Sequence, residues 1–445
     1  MSHMDFEQWT THEDGSQTSA ASSAYRSISN RLSVPSTSNI LFFDPRLMGH
    51  HMEFLHHVAS YGVQQDTFRV HLVVHPHVEE KAPSLVALAN AHPEDVVLHP
   101  LTEQEFAATE RTETIFQRAI AGWEAAAMRA RRVKASHCVF MEVNAYQPVL
   151  GLPRARRAPF QTSGILFFPY CRLEPASQKL LPRLKTHLET LRKRWQLRWV
   201  LSNPTVQTLF LLNDPWGARQ LNEELGKGTF ASLPDPVPFV QDEAPVPSSV
   251  VDWANRKWDG QRTHVLLFGS LRRAKGVLPT LQAFRDLPGE HAARMSFHLL
   301  GRSRDDLTDT LSGLVDTLRY GQPRLKVHFE DRYLSESELS VALDRSDLVL
   351  APYLRTEGSS GVLGHAASHR LPVIGPRTGL IGQLIESYAL GTALERITPA
   401  TLREALMAHV PNPRAHASVS GMQRYADERT PTAFARTLTD TLLQG

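Results

Sequence analysis

Cysteine, net charge and long apolar runs are all scarce in this chain, and each scarcity removes a class of answer. Two cysteines in 445 residues cannot staple a scaffold. Cys138 and Cys171 lie in or beside apolar, strand-like runs, where a small buried thiol in a reducing compartment is the expected state. Lysine and arginine number 48 against 46 acidic residues, a net charge of +2, so the totals carry no nucleic-acid footprint and any electrostatic partner must be met locally. No window approaches the roughly 18 uninterrupted apolar residues of a membrane span, and the N-terminus lacks a charged-then-apolar signal pattern. A cytoplasmic, unexported protein is expected.

What is present has a regular texture. MSHM at the start has the look of an expression-vector remnant, and the Ser/Thr-rich stretch to residue 38 has little to bury, so residues 1–38 are expected to be a disordered tail. From Asn39 short runs rich in Val, Ile, Leu and Phe alternate with helical patterns: NILFF, FRVHLVV, VVLHP, HCVF, GILFF and TLFLL in one half, THVLLF, MSFHLL, LKVHF, DLVLAPY and LPVIG in the other. Such alternation predicts two doubly wound, Rossmann-like α/β domains with parallel sheets covered on both faces. Five prolines between Pro234 and Pro247 make a stiff connector. The expected partition is a first domain at 39–232, a linker at 233–262, a second domain at 263–412 and a C-terminal helix at 413–445. Ligands of open α/β sheets sit beyond the carboxyl ends of the strands, so two such domains should face each other across a cleft.

Two stretches carry the chemistry. In residues 353–375, YLRTEGSSGVLGHAASHRLPVIG, an apolar run ends at Tyr353 and a Gly/Ser turn precedes a helical pattern. The first turn of a helix presents unpartnered N–H groups and the positive end of its dipole, which suits phosphate oxygens. Ser360 is there either as the helix cap or as a ligand contact. In residues 266–277, LLFGSLRRAKGV, a strand ends at Gly269, and Arg272, Arg273 and Lys275 precede a second helix. The spacing fits neither a Walker loop nor a dinucleotide fingerprint. A planar guanidinium and a compact ammonium together can hold a diphosphate and stabilise it as a leaving group.

FGSLRRAKG together with EGSSGVLGHAASHRLPVIG resembles the C-terminal domain of retaining glycosyltransferases of the family-4 type, which have the GT-B architecture. The resemblance spans roughly residues 263–393, and LMGHHMEFLHHVASYG is similar to the family's N-terminal glycine loop and helix. It implies that Arg272 and Lys275 hold the donor diphosphate, with Ser360 and the backbone amides of Gly361, Val362 and Leu363 completing the site. It further implies that Glu357 contacts the donor sugar as a catalytic residue, that Tyr333 lies by the base, and that Gly49 and His50 approach from the first domain, His50 being the second catalytic candidate. The implied reaction retains anomeric configuration, uses a nucleotide-diphosphate sugar, and needs neither a metal nor another cofactor.

This chain departs from the family pattern in three places. Ser270 stands where many members have their first arginine, although a subset places arginine at the position of Arg272 as here. His365 stands where the second glutamate of E-x7-E usually contacts the ribose, and Arg370 replaces a turn glycine. Imidazole can still hydrogen-bond a hydroxyl. His365 and Arg370 keep open a catalytically silent GT-B binding or scaffold protein; the rival among enzymes is a GT-B nucleotide-sugar epimerase.

Acceptor contacts, to a glycan or a lipid-linked hydroxyl, are expected at the strand ends MEVNAYQP and FFPYCR: Glu142, Asn144, Tyr146, Tyr170 and Arg172. These polar residues also fit ordinary loop chemistry. Residues 179–200 carry seven Lys or Arg against Glu189 alone, with Trp195 and Trp199. That helix either touches an anionic membrane face or is a solvated helix with its tryptophans packed inward. His51 and His56 lack the i, i+4 spacing of a helical zinc pair, whereas His71, His75 and His77 alternate along one strand face and run off its end; these and the neighbouring His50 and His57 are read as a mixture of core, capping and cleft residues rather than a metal site.

Overall fold

Strands rich in β-branched and aromatic residues assemble into two wholly parallel sheets. The computed structural model describes residues 37–46, 50–110, 114–173, 180–237, 245–304 and 307–444, without the side chains of His50 and residues 180–183. The N-terminal stretch read as a tail therefore lies almost entirely outside the described residues.

The first sheet comprises β1 (Ser38–Phe43), β2 (Phe68–Val74), β3 (Val96–Pro100), β4 (His137–Phe140), β5 (Gln161–Ile165), β6 (Val206–Leu212) and β7 (Phe230–Leu233), in the order β3-β2-β1-β4-β5-β6-β7. The second comprises β8 (Thr263–Phe268), β9 (Met295–Leu300), β10 (Lys326–Glu330), β11 (Leu348–Leu350), β12 (Val373–Pro376) and β13 (Gly391–Leu394), in the order β10-β9-β8-β11-β12-β13. Both orders reverse direction once, between β1 and β4 and between β8 and β11. These are two doubly wound lobes, the GT-B architecture.

Each sheet is covered on both faces, which is why its strands read as nearly unbroken apolar runs. In the first lobe Phe43 and Phe140 face one core with Trp123 and Tyr146, while Ile40, Phe42 and Val139 face another with Phe54 and Leu55. The second lobe repeats the plan, with Leu266 and Val349 on one face and Val265 and Leu348 on the other.

Among the described residues, the segments that leave and re-enter the first lobe meet at one place. After β7 the backbone N–H of Val237 donates to the carbonyl of Arg429 at 2.8 Å, which sets the outward crossing against the return. The helix Ser248–Asn255 already belongs to the second lobe, burying Trp253 and Ala254 in its core. The helix Val419–Asp427 stays with that lobe through Met422 and Tyr425. Pro431–Leu443 joins the first lobe, where Phe434 packs on Phe54 with ring centroids 4.7 Å apart. The return crossing is thus at Glu428–Thr430, beyond residue 413 where the last segment was expected to begin.

Candidate functional site

The two stretches singled out by sequence follow β8 and β11, the neighbouring strands at which the second sheet reverses. Loops leaving such strands diverge to opposite faces of the sheet and open a crevice between them.

After β8 the chain turns at Gly269 (φ 98°) and forms a 3-10 turn, Arg273–Lys275, closed by Gly276 at φ 73°. A Cβ on Gly276 would lie 1.9 Å from the carbonyl oxygen of Pro352. Both the positive φ and this approach demand glycine, and together they press the cationic loop onto the end of β11. The Leu354 N–H donates to the carbonyl of Ala274 at 2.9 Å across the same seam. Lys275 Nζ stands 3.6 Å from the centroid of the Tyr353 ring, a cation–π contact. Arg272 is exposed, its Nε donating to Ser270 Oγ at 2.9 Å.

The Tyr353 hydroxyl continues the connection, lying 2.7 Å from Ser360 Oγ. Ser360 is buried and does not cap the helix Gly361–Ser368 with its side chain. Its hydroxyl is committed to Tyr353. Lys275, Tyr353 and Ser360 form a relay from the cationic loop to the start of that helix. Of the three amides expected there, that of Leu363 donates to the Ser360 carbonyl at 3.2 Å and its side chain is fully buried. Gly361 is exposed.

Beside this helix start a cavity of about 250 Å³ opens between the lobes, walled by Glu357, Gly361 and His365 of the second lobe and by Glu53, Phe168 and Asp235. Lys275, Tyr353 and Ser360 are not among the residues that wall it; Gly361, next to Ser360, is where the relay meets the cavity. Glu357 is 8 % exposed, and Arg355 Nε donates to its Oε1 at 3.2 Å. His365 meets the Phe268 ring edge-on at 5.8 Å. Burial, and secondarily the neighbouring His369, push its pKa down to about 4, so it is a neutral imidazole at physiological pH and can accept or donate one hydrogen bond. Tyr333 is exposed and takes a hydrogen bond from Arg304, whose guanidinium carbon lies 5.6 Å from its ring.

On the first-lobe side Gly49 lies outside the described residues, and His50 is described only as the first residue of the helix His50–Gly62. One turn on, Glu53 opens onto the cavity. The surrounding protein, then the carboxylates of Glu336 and Asp235, raise its pKa. Asp235, at the hinge, is raised to about 6 by burial, against the opposing pull of a hydrogen bond from Ser359 and the charge of Arg429.

The expected acceptor residues divide differently. Tyr146 is a core residue, 6 % exposed, with Phe43 and Phe140 at 5.6 and 4.6 Å. The Asn144 side chain clamps the next strand end, donating to the Phe167 carbonyl at 2.6 Å and accepting from its N–H at 2.7 Å. Tyr170 is buried and donates to Glu224 at 2.7 Å. Arg172 Nε donates to Asp214 Oδ2 at 2.8 Å, and Asp214 caps the helix Pro215–Leu225. Glu142 pairs with Arg46 in a half-exposed ion pair. Asn144, Tyr170 and Arg172 thus meet hydrogen-bonding demand at strand ends, and Tyr146 packs into the core.

Glu53 and Asp235 escaped the sequence reading. Glu53 is the lone acid in HHMEFLHH and Asp235 the acid of LPDPV; a carboxylate amid apolar and hinge residues was the available signal. Among the described residues, no three His, Cys, Asp or Glu side chains are grouped to hold a metal.

With this geometry in place, comparison locates the chain. Residues 262–410 match the family model for glycosyl transferases group 1. That match lies within the second lobe. By structure the chain is similar to the N-terminal domain of Candida albicans trehalose-6-phosphate phosphatase, at 12 % identity and TM-score 0.63, covering 92 % of this chain and 97 % of that one. It is similar to WaaG, a glycosyltransferase involved in lipopolysaccharide biosynthesis, at 16 % identity and TM-score 0.59, covering 91 % and 100 %. It is also similar to HepE from Anabaena in complex with UDP and glucose, at 14 % identity and TM-score 0.61, covering 92 % and 100 %. No curated protein matches it by sequence.

Proposed function

We propose that the protein is a retaining, metal-independent glycosyltransferase that moves a sugar from a nucleoside-diphosphate sugar to a hydroxyl group of a glycan or lipid-linked acceptor. The observation that carries this reading is the relay Lys275–Tyr353–Ser360, which links a cation to the start of a helix whose first residue, Gly361, lines the interlobe cavity. The group 1 match supports the reaction class, and the UDP and glucose bound by HepE support the donor class.

In this reading Lys275, Arg272 and the first amides of Gly361–Ser368 stabilise the diphosphate as negative charge builds on the departing oxygen. Glu357 and neutral His365 hold donor hydroxyls. The bond from the anomeric carbon to the diphosphate oxygen breaks, the acceptor oxygen bonds to that carbon from the same face, and the acceptor proton passes to the leaving diphosphate. No protein nucleophile is needed, so positioning and charge stabilisation account for the acceleration.

Thermal-shift screening of nucleoside diphosphates and their sugars tests this, because a ligand that binds only the folded state raises its apparent stability. One nucleotide series should raise the melting temperature of the wild type, and Lys275→Ala should erase the shift. No shift with any nucleotide would contradict the assignment.

A further inference from the structure

The helix Leu180–Leu201 has apolar residues on two faces. Leu197, Val200 and Leu201 lie in the core of the first lobe and fix the helix against it. Among the described residues the opposite face is open to solvent: Leu184 is 51 % exposed, Leu188 58 %, Leu191 42 % and Trp195 73 %. Their spacing, i, i+4, i+7 and i+11, places all four on one line along the helix. A helix that only covers a core turns polar residues outward along that line. Exposed Lys185 and Arg192 border the stripe on one side, and Arg198 with His187 on the other.

We infer that this stripe docks the protein on an anionic lipid bilayer, its leucines and Trp195 entering the headgroup boundary while the flanking cations pair with lipid phosphates. Apolar side chains in line, cations at both margins and an exposed tryptophan are what the interface of a charged membrane accommodates. Charge complementarity also separates this occupant from a second copy of the chain, because a two-fold pairing would set the same basic margins against each other. On its inner side the helix reaches the mouth of the cavity, where Lys193 Nζ donates to the carbonyl of Phe168 at 3.4 Å. A docked bilayer would lie about one helix diameter, ~10 Å, from that mouth. The inference goes beyond sugar transfer and stands whether or not the transfer chemistry is correct.

Co-sedimentation of the full chain with phosphatidylcholine vesicles, with and without phosphatidylglycerol, tests it. The wild type should pellet with the anionic vesicles, less so at high salt, and Leu188→Asp with Trp195→Asp should lower binding by about tenfold or more. Both positions face solvent, so circular dichroism and any nucleotide-induced thermal shift should be unchanged. As a second variant that leaves the apolar stripe intact, Lys185→Glu with Arg192→Glu should remove the preference for phosphatidylglycerol. Wild-type protein that stays in the supernatant, or a double aspartate variant that pellets like wild type, would overturn the inference. A wild-type dimer that the aspartate variant dissolves in sedimentation velocity would also overturn it, assigning the stripe to a second copy.

Discussion

The side-chain amide of Asn213 donates to the hydroxyl of Ser359 at 2.9 Å, and this bond ties the end of β6 in the first lobe to the loop that opens the helix Gly361–Ser368 in the second. Asn213 Oδ1 accepts from the Asp235 N–H at 2.9 Å and from Arg429 Nε at 2.8 Å. Arg429 in turn lies over the rings of Tyr425 and Tyr388, at 3.8 and 4.7 Å. One asparagine thus joins both interlobe crossings to the proposed donor loop. Its φ of 55° is a conformation that asparagine and glycine tolerate best.

Asn213→Gly keeps that backbone and removes the side-chain bonds. Chemical denaturation should show a loss of about 2 kcal/mol, the net worth of two or three buried hydrogen bonds. In a transfer assay the donor KM should rise more than kcat falls, since the loop would be less fixed before the donor binds.

Tyr353→Phe separates the two halves of the relay. The ring remains under Lys275 while the bond to Ser360 is lost. Donor affinity measured by calorimetry should fall about fivefold, the equivalent of ~1 kcal/mol for one neutral hydrogen bond. Tyr353→Ala, which also removes the cation–π contact, should cost more.

Burial holds the pKa values of His57, His71, His328, His365 and His409 down to about 4, and that of His298 well below its ordinary value. His298 is fully buried and stacked between Trp258 and His328 at 4.1 and 4.8 Å. A histidine depressed in the folded state binds its proton more readily when unfolded. Its contribution to stability is complete above pH ~6.5 and is lost as the pH falls toward ~4. The denaturation midpoint should therefore drop steeply between those values, with an uptake of several protons on unfolding. His298→Gln should shallow that slope; a flat profile would contradict these depressed values.

Asp235 has the opposite sign. Its folded pKa of about 6 exceeds the unfolded carboxylate range, so ionisation costs stability that is fully felt only above pH ~6. Asp235→Asn should be more stable than wild type at pH 8, and the difference should vanish by pH ~4, as read from urea unfolding at the two pH values.

Alternation of apolar runs with helical patterns was enough to reveal two doubly wound lobes, because parallel strands buried on both faces leave an unmistakable composition. The glycines in AKGV and EGSSG marked the loops at the reversal of the second sheet, since only glycine permits the φ of 73° and the Pro352 contact at Gly276. Side-chain direction was not legible. Tyr146 and Tyr170 look alike at a strand end, and only the fold tells that one fills the core and the other reaches Glu224. Trp195 and Trp199 share a helix, yet the first points outward while the Trp199 indole crowds Gly151. Asn213 and Arg429 are 216 residues apart, and nothing local in either segment announces the other.

The account depends on Lys275 binding a diphosphate beside the helix that starts at Gly361. Isothermal titration calorimetry of wild type and Lys275→Ala with the nucleoside diphosphate that gives the largest thermal shift tests this directly. A charge-assisted contact of this kind should be worth about 10- to 100-fold in affinity, with the circular dichroism spectrum unchanged. Equal affinity in the two proteins would contradict it.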